Sequence, residues 1–562
     1  MLEKTPKVLL NSFWERCQDA IRRDWRLVGI MLAALALRLA WAIFWTGSIH
    51  PEGTEYARIA ENLVAGHGYV GLATPGKELM FPPLFPLLIA AFSYLTHGAE
   101  FAGRLVSILM GTLFVVPIFF ITARMYGRGV AHIAAVLAAL HPFLVGFSAT
   151  VYSEMTYMTL VFAGIGCAWR CLDRLAAADF VLTGIFFGLA YLIRPEAGAF
   201  SLVAILFIVG FSAVVDRRNL RPALLRSALI IACFAAMAAP YVIWLSAQAG
   251  QFRLEGKSPL LYVAAKNIIN GMSFSEAYHR IDQNLNEQGI FLRSNLSVIQ
   301  EADFSVTDLL RLAAVGVRDN LPEVARDISS GFFLGSPILF ALAILGLFAS
   351  PWNLRLAGQQ LFFVALLGLS ATALLFYPRH EIRYDFMFLP VMLIWGAGGL
   401  IAVGQWAGST LTQLGIKGTV AQRGGRVVQI VLAAGLLLVA FAGVNRLGLI
   451  SSYGPQNRPI KTAGEWLDRF KPGPKTVMDS WSVLAFHAHA TLVPFPHADP
   501  ALVLRYIEKR KVDFIVLTDL GRPRKPYLGG WIDNGIPSPH ARLVYNDGTH
   551  AIGRVLIYQW VP

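Results

Sequence analysis

Apolar runs of about 18 to 22 residues recur along the chain, each closed by a short polar or basic stretch. Wound as a helix, such a run crosses a hydrocarbon layer of roughly 30 Å. Runs of this kind lie near 27–48, 103–123, 130–149, 155–172, 178–193, 197–215, 227–246, 333–350, 358–377, 385–404 and 428–449. The pattern predicts a polytopic α-helical membrane protein of about eleven transmembrane helices. The runs at 178–193 and 197–215 are joined only by Arg194-Pro195-Glu196.

Three stretches break the pattern. In the loop 49–102, Tyr56, Ile59, Ala60, Leu63 and Val64 recur at helical spacing while Arg58, Glu61 and Asn62 fall on the other face. That spacing predicts an interfacial helix, stopped by Gly66-His67-Gly68. Pro86 to Leu95 is apolar but too short to cross, so a second helix is expected at the interface or as a re-entrant piece ahead of His97-Gly98. The loop 248–332 mixes charges of both signs with amphipathic patches such as Leu309 to Val317. After Ser451 the long apolar runs end and Pro and Gly become frequent. A helical Leu502 to Arg510, a strand at Val512 to Leu517 and a closing strand at Arg554 to Tyr558 predict a small α/β domain over 451–562. Residues 27–450 then form the membrane module.

Composition supports this picture and adds an orientation. Of 562 residues, 56% are hydrophobic and 15% charged, too few charges for a large soluble fold. The formal net charge of +13 comes largely from arginines in alternate short loops, which suits contact with anionic lipid rather than nucleic acid. Counting those loops as cytoplasmic puts the N-terminus inside and the C-terminal domain outside. Met1 to Arg26, with Lys4, Lys7, Arg16, Arg22, Arg23 and Arg26 around Phe13 and Trp14, is expected as a basic amphipathic helix on the cytoplasmic surface. Cys17, Cys167, Cys171 and Cys233 all avoid the large polar regions, so no disulfide framework or cysteine-based zinc site is expected there. No Walker-type phosphate loop is present, which argues against an ATP-driven pump.

On this topology the chemistry gathers at one membrane face. Glu52 and Glu55 follow the first run, Tyr152-Ser153-Glu154 lies in the next turn on that side, Arg194-Pro195-Glu196 in the third, and Arg379-His380-Glu381-Ile382-Arg383-Tyr384 between the ninth and tenth runs. Ionisable groups at such depth usually serve a substrate or ion path, because they are costly to hold. Each also has a plainer account: Glu55 as the polar start of an interfacial helix, Arg383 as a headgroup anchor, Arg194 and Glu196 as a pair bracketing a proline turn. His487, His489 and His497 read as solvated loop histidines rather than a metal cluster.

Glu52-Gly53-Thr54-Glu55-Tyr56-Ala57-Arg58-Ile59-Ala60, with Gly66-His67-Gly68-Tyr69 and Pro82-Pro83-Leu84-Phe85-Pro86, resembles the first outer loop of the GT-C glycosyltransferases, nearest to the protein O-mannosyltransferase and aminoarabinose transferase superfamily. Ser153-Glu154, Arg194-Pro195-Glu196 and Arg383-Tyr384 resemble further features of that group, over about residues 27–405. The resemblance implies a GT-C-like fold in a bacterial inner membrane and an inverting transfer, at the outer face, from a polyprenyl-phosphate-linked sugar to a lipid, glycan or protein acceptor. It implies that Glu52, four residues before Tyr56, is the general base, although the group usually has Asp there; Glu55 stays open as the alternative. Arg383, Arg194 and Lys266 are then the candidates for clamping the phosphate, with Tyr56, Tyr384 and Glu55 beside the substrate. Glu154 would orient a cation, share a metal or contact the acceptor. No cofactor is demanded, and a divalent metal ion is left open. The rival from another class is a secondary transporter or flippase, which would hold polar groups near the bilayer midplane.

Overall fold

A computed structural model describes residues 24–562 apart from 45–46, 73–75, 97, 216, 274–275, 278–282, 287–288, 293–304, 331–336, 378–379, 417, 447–457 and 551–552. The surface helix expected at 1–26 lies almost wholly outside the described residues, as do Cys17, His97, Arg379 and the domain boundary at Ser451.

The protein is a polytopic helical membrane protein with a C-terminal extramembrane domain. The first apolar run forms α1 (Trp25–Phe44). The first long loop then folds into the two expected short helices, α2 (Pro51–Val64) and α3 (Leu84–Thr96). Next come α4 (Ala99–Leu113) and α5 (Val115–Tyr126), then α6 (Arg128–Leu140), α7 (Pro142–Ser148) and α8 (Glu154–Arg174). α9 (Ala177–Tyr191), α10 (Ala197–Val215) and α11 (Leu220–Ala249) follow. The second long loop holds α12 (Lys257–Ile269), an antiparallel hairpin of β1 (Gln283–Asn286) and β2 (Gly289–Leu292), and α13 (Val306–Ser330). The apolar pattern resumes with α14 (Pro337–Phe348), α15 (Leu354–Leu374), α16 (Phe388–Gln413) and α17 (Thr419–Arg446).

Among the described residues eight helices are long and apolar enough to cross a membrane, or nine if the bent pair α6–α7 is one span. The expected eleven is not reached. The run at 178–193 gives a 15-residue helix because Leu192 to Glu196 turn instead of continuing it, and the run at 333–350 gives a described helix of 12 residues beginning at Pro337. At 1.5 Å per residue both fall short of roughly 30 Å. α14 is nonetheless wedged tightly against α16. A Cβ at Gly346 would strike the Trp395 carbonyl, and one at Gly399 the Leu342 carbonyl, so the two backbones meet at glycines.

The bend between α6 and α7 measures 54° and falls at His141-Pro142. Pro142 has no N–H, so the carbonyl of Ala138, four residues earlier, loses its helical donor. Arg38 of α1, fully buried, replaces it. Its guanidinium donates to the Ala138 and Ala139 carbonyls at 3.4 and 2.9 Å and to Ser148 Oγ at 3.0 Å. Gly111 leaves it room, since a Cβ there would stand 3.0 Å from Arg38 Nε.

The C-terminal residues form a small α/β domain. α18 (Arg458–Phe470), α19 (Ser482–His487) and α20 (Pro500–Lys509) accompany a five-stranded sheet. Its strands are β3 (Thr476–Asp479), β4 (Thr491–Pro494), β5 (Phe514–Thr518), β6 (Ala541–His550) and β7 (Gly553–Trp560), in the order β4-β3-β5-β7-β6. β3 runs parallel to β4 and β5, and β7 antiparallel to β5 and β6. α19 packs on α2: Thr54 Oγ1 and Ser482 Oγ are 2.6 Å apart, and Arg58 donates to the Phe486 carbonyl at 3.2 Å. Lys461 of α18 also reaches Glu100 at 2.9 Å. The domain thereby covers part of the first long loop, and Ala57, Ile59 and Ala60 of α2 are fully buried.

Candidate active site

The sequence His50-Pro51-Glu52 starts α2 and aims its first acid. Pro51 takes the first helical position, where a missing N–H costs nothing. His50 Nδ1 accepts the Glu52 N–H at 3.1 Å, capping the helix. Burial, aided by Arg383, pulls His50 down to about 3, so the ring is neutral and able to accept. An acid in the first turn also faces the positive end of the helix dipole.

Glu52 then meets groups brought from far along the chain. Arg383 Nη1, in the 3₁₀ turn Ile382–Met387, lies 2.5 Å from Glu52 Oε2. Tyr56, one helical turn on, donates its hydroxyl to Glu52 Oε1 at 3.0 Å and is 3.3 Å from Ser153 Oγ. Burial would raise the Glu52 carboxyl, but Arg383, with Lys257 and Arg194 beyond it, holds it well below the usual carboxylate range. Burial and the Glu52 charge push the Tyr56 phenol far up, keeping it protonated as a donor.

A second pair stands beside the first. Glu154 opens α8 and accepts from Arg194 Nη2 at 2.7 Å, both side chains being buried. The Arg194 guanidinium lies 5.0 Å from the Phe386 ring centre and 5.9 Å from that of Tyr157. Tyr377 donates to Glu196 Oε1 at 3.4 Å, and Arg383 Nε also reaches Glu381 at 2.8 Å. The Arg383 guanidinium is 5.2 Å from the Tyr384 ring and 6.0 Å from that of Tyr152.

Tyr56, Arg194, Glu196, Tyr377 and Tyr384 of this cluster border two neighbouring cavities. One of about 370 Å³ is lined by Tyr56, Arg194, Glu196, Lys257 and Tyr377 among others. A narrower apolar one of about 130 Å³, walled by Phe200, Leu369, Ala373 and Phe386, shares Arg194 and Glu196 with it. Arg194 and Lys257 bring a guanidinium and an ammonium to the larger cavity, beside Glu196 and Glu255, and the two cations suit an anion. An apolar slot at the same arginine suits a hydrocarbon chain attached to that anion.

Glu52, Tyr56, Glu154, Arg194, Arg383 and Tyr384 are thus neighbours. Two other candidates are not. Glu55 is turned into the loop after α2, where its carboxylate accepts the Leu72 N–H at 2.7 Å, because one residue along a helix rotates it by about 100° from Tyr56. Lys266 pairs with Asp308 of α13 at 3.2 Å, nine residues along α12 from the end that borders the cavity. The lysine at the cavity is Lys257, at the start of the same helix. Its signal in the sequence was only a basic residue before an apolar stretch. Of the three C-terminal histidines, His487 is buried rather than solvated, at the end of α19 and 3.9 Å from Glu100, whereas His489 is exposed and 3.3 Å from Asp468.

Among the described residues one group could hold a metal ion, and it lies elsewhere. Asp327 of α13, His380 and Asp385 bring one ligand atom each to within 4.8 Å of one another. Burial works against protonation of His380, yet the two carboxylates push it up to about 9. A stretch containing His380 stood out in the sequence, but its partners did not.

Comparison with known proteins agrees with this architecture. Residues 81–244 match the family described as dolichyl-phosphate-mannose-protein mannosyltransferase. No curated protein sequence matches the chain. Among solved structures, the archaeal oligosaccharyltransferase AglB from Archaeoglobus fulgidus, in complex with an inhibitory peptide and a dolichol-phosphate, superposes with a TM-score of 0.60 at 15% identity, over 88% of this chain and 69% of that one. ArnT from Cupriavidus metallidurans bound to undecaprenyl phosphate gives a TM-score of 0.54 at 14% identity, over 96% of this chain and 98% of that one. The chain shares the fold of these two solved structures, and the family match falls within the helical membrane part of that fold.

Proposed function

We propose that the protein is an inverting glycosyltransferase that moves a sugar from a polyprenyl-phosphate carrier to an acceptor at the outer face of a bacterial inner membrane. The observation that carries this reading is the Glu52–Arg383 pair at 2.5 Å, set beside the Arg194–Glu154 pair at the edge of a cavity of about 370 Å³. The donor phosphate would be clamped by Arg383, Arg194 and Lys257, and the carrier's tail would leave along the apolar slot. As the acceptor oxygen bonds to the anomeric carbon, its proton passes to Glu52 and the bond from that carbon to the phosphate oxygen breaks. The carrier departs as a phosphate anion, whose growing charge the cations stabilise.

The resting geometry adds a condition. A carboxylate held this far down by Arg383 is a weak base. A bound phosphate competes for the same guanidinium, and drawing Arg383 away from Glu52 would restore the basicity the transfer needs. The acceptor, whether lipid, glycan or protein, would approach under the C-terminal domain that covers α2.

The alternative, a transporter or flippase for a lipid-linked or anionic substrate, predicts polar groups deep in the spans. The buried charge of α1, Arg38, is taken up by helix carbonyls and Ser148 rather than facing a path. Incubating membranes with labelled polyprenyl-phosphate sugars tests both readings. Glu52→Gln is expected to lose about 10²- to 10⁴-fold of the transfer rate. Undiminished transfer removes Glu52 as the base, and movement of the substrate across sealed vesicles without a new glycosidic bond favours the transporter.

A further inference from the structure

Asp327, His380 and Asp385 take no part in the proposed transfer, yet they are arranged with unusual economy. His380 Nε2 lies 3.0 Å from Asp327 Oδ2 and 3.2 Å from Asp385 Oδ2. One imidazole nitrogen carries at most one proton, so it can donate to only one of the two carboxylates. Asp385 is fully buried, and beyond the 3.2 Å approach of His380 neither of its oxygens has a hydrogen-bond donor among the described residues. A buried carboxylate left in that state is costly.

We propose that these three residues bind a divalent ion of the zinc type, which clamps α13 to the turn carrying Arg383. The donor set, two carboxylates and one imidazole nitrogen, is one that zinc accepts, and three protein ligands leave a fourth position for water. Bonds of about 2.0–2.2 Å in tetrahedral array put ligand atoms about 3.3–3.6 Å apart, a little beyond the two His380–carboxylate separations, and all three ligand atoms lie within 4.8 Å of one another. Two carboxylates and a neutral imidazole carry the charge that a divalent ion neutralises. The ion satisfies both acids at once, which a shared proton cannot.

Placement gives the site its role. His380 precedes Arg383 by three residues and Asp385 follows it by two, both around the 3₁₀ turn Ile382–Met387. Asp327 belongs to α13, in the second long loop. The ion therefore acts as a positioning device, fixing the backbone from which Arg383 reaches Glu52. It stands whether or not the transfer reaction proves correct, because its test needs no substrate.

The full chain, purified in detergent and treated with a mild chelator, is titrated with zinc, and bound metal is measured by mass spectrometry. The wild type is expected to hold about one zinc per chain and to melt at a higher temperature with it. His380→Gln, Asp385→Asn and Asp327→Asn should each weaken binding roughly tenfold or more and lose the melting shift. His487→Gln should retain both. If the two buried variants do not fold, Asp327→Asn, the least buried of the three, decides alone. A wild type without stoichiometric zinc, or an Asp327→Asn protein that binds it as well as wild type, overturns the proposal, and the cluster is then a histidinium shared by two acids.

Discussion

Two buried arginines of this protein behave in opposite ways. Arg38 is enclosed in α1 and bound by neutral groups: the Ala34 carbonyl of its own helix, the Ala138 and Ala139 carbonyls at the Pro142 break, and one serine hydroxyl. Arg383 is held by carboxylates, Glu52 and Glu381, in a cluster that borders a cavity. Carbonyls released by a kink have no other donor, so Arg38 completes a helix pair. Carboxylates can be displaced by a phosphate, so Arg383 can change partner. Burial of a cation thus says little about function until its acceptors are known.

The comparison makes opposed predictions for the two positions. The largest effect is expected at the cluster. Arg383→Gln should lower kcat/KM by about 10²- to 10³-fold, as loss of a donor to a developing oxyanion does. It should also alter the pH profile. In the wild type, Arg383 outweighs burial and holds Glu52 below its ordinary value of 4.5, so the carboxylate stays ionised and an acid limb set by it falls below that value. By linkage, the stability this depressed carboxyl contributes is fully present above its unfolded value and lost as pH falls through the folded one. With Arg383 removed, burial is opposed only by the smaller effects of Lys257, Arg194 and His50, and the acid limb of kcat/KM should move upward. An acid limb that stays put in Arg383→Gln breaks the link between this pair and the chemistry.

Arg38 should show the reverse. Arg38→Met leaves the Ala138 and Ala139 carbonyls without that donor and is expected to cost on the order of 2–3 kcal/mol, seen as a lower melting temperature and yield. The fraction that folds should transfer sugar at a normal rate per molecule. A folded Arg38→Met protein with normal stability and no activity would place Arg38 on a substrate path and revive the transporter reading.

The cluster itself was largely legible in the sequence, and for a physical reason. Charges at the ends of apolar runs are conspicuous, and alternation of the runs assigns Glu52, Glu154, Arg194 and Arg383 to one face before any packing is known. Helical rotation was harder to use. Glu52 and Glu55 both precede apolar positions, and only the bond from Tyr56 to Glu52 and that from Leu72 to Glu55 separate their roles. The span count stays unconfirmed where a run gives a shorter described helix, as at 178–193, where the chain turns at Arg194-Pro195-Glu196, and at 333–350. Asp327 could not be joined to His380 and Asp385 because the pairing is between a loop helix and a turn 53 positions later, across an entire helical hairpin.

The smallest effect tests the same lesson on lysines. Lys257 and Lys266 lie on one helix, α12, and look alike in the sequence, yet only Lys257 borders the cavity, and among the described residues no carboxylate lies within ion-pair distance of its ammonium. Lys266 is half-exposed and already paired with Asp308 at 3.2 Å. An ammonium at the cavity edge helps attract and hold a phosphate in ground and transition states alike, so Lys257→Ala should raise KM for the lipid-linked donor by about fivefold to tenfold while kcat changes little. Loss of an exposed pair is worth under about 1 kcal/mol, so Lys266→Ala should leave both constants near the wild type. Initial rates over a range of donor concentrations measure both variants. If Lys266→Ala carries the larger defect, the donor phosphate binds along the far end of α12, and the cavity beside Arg194 is not where the sugar is transferred.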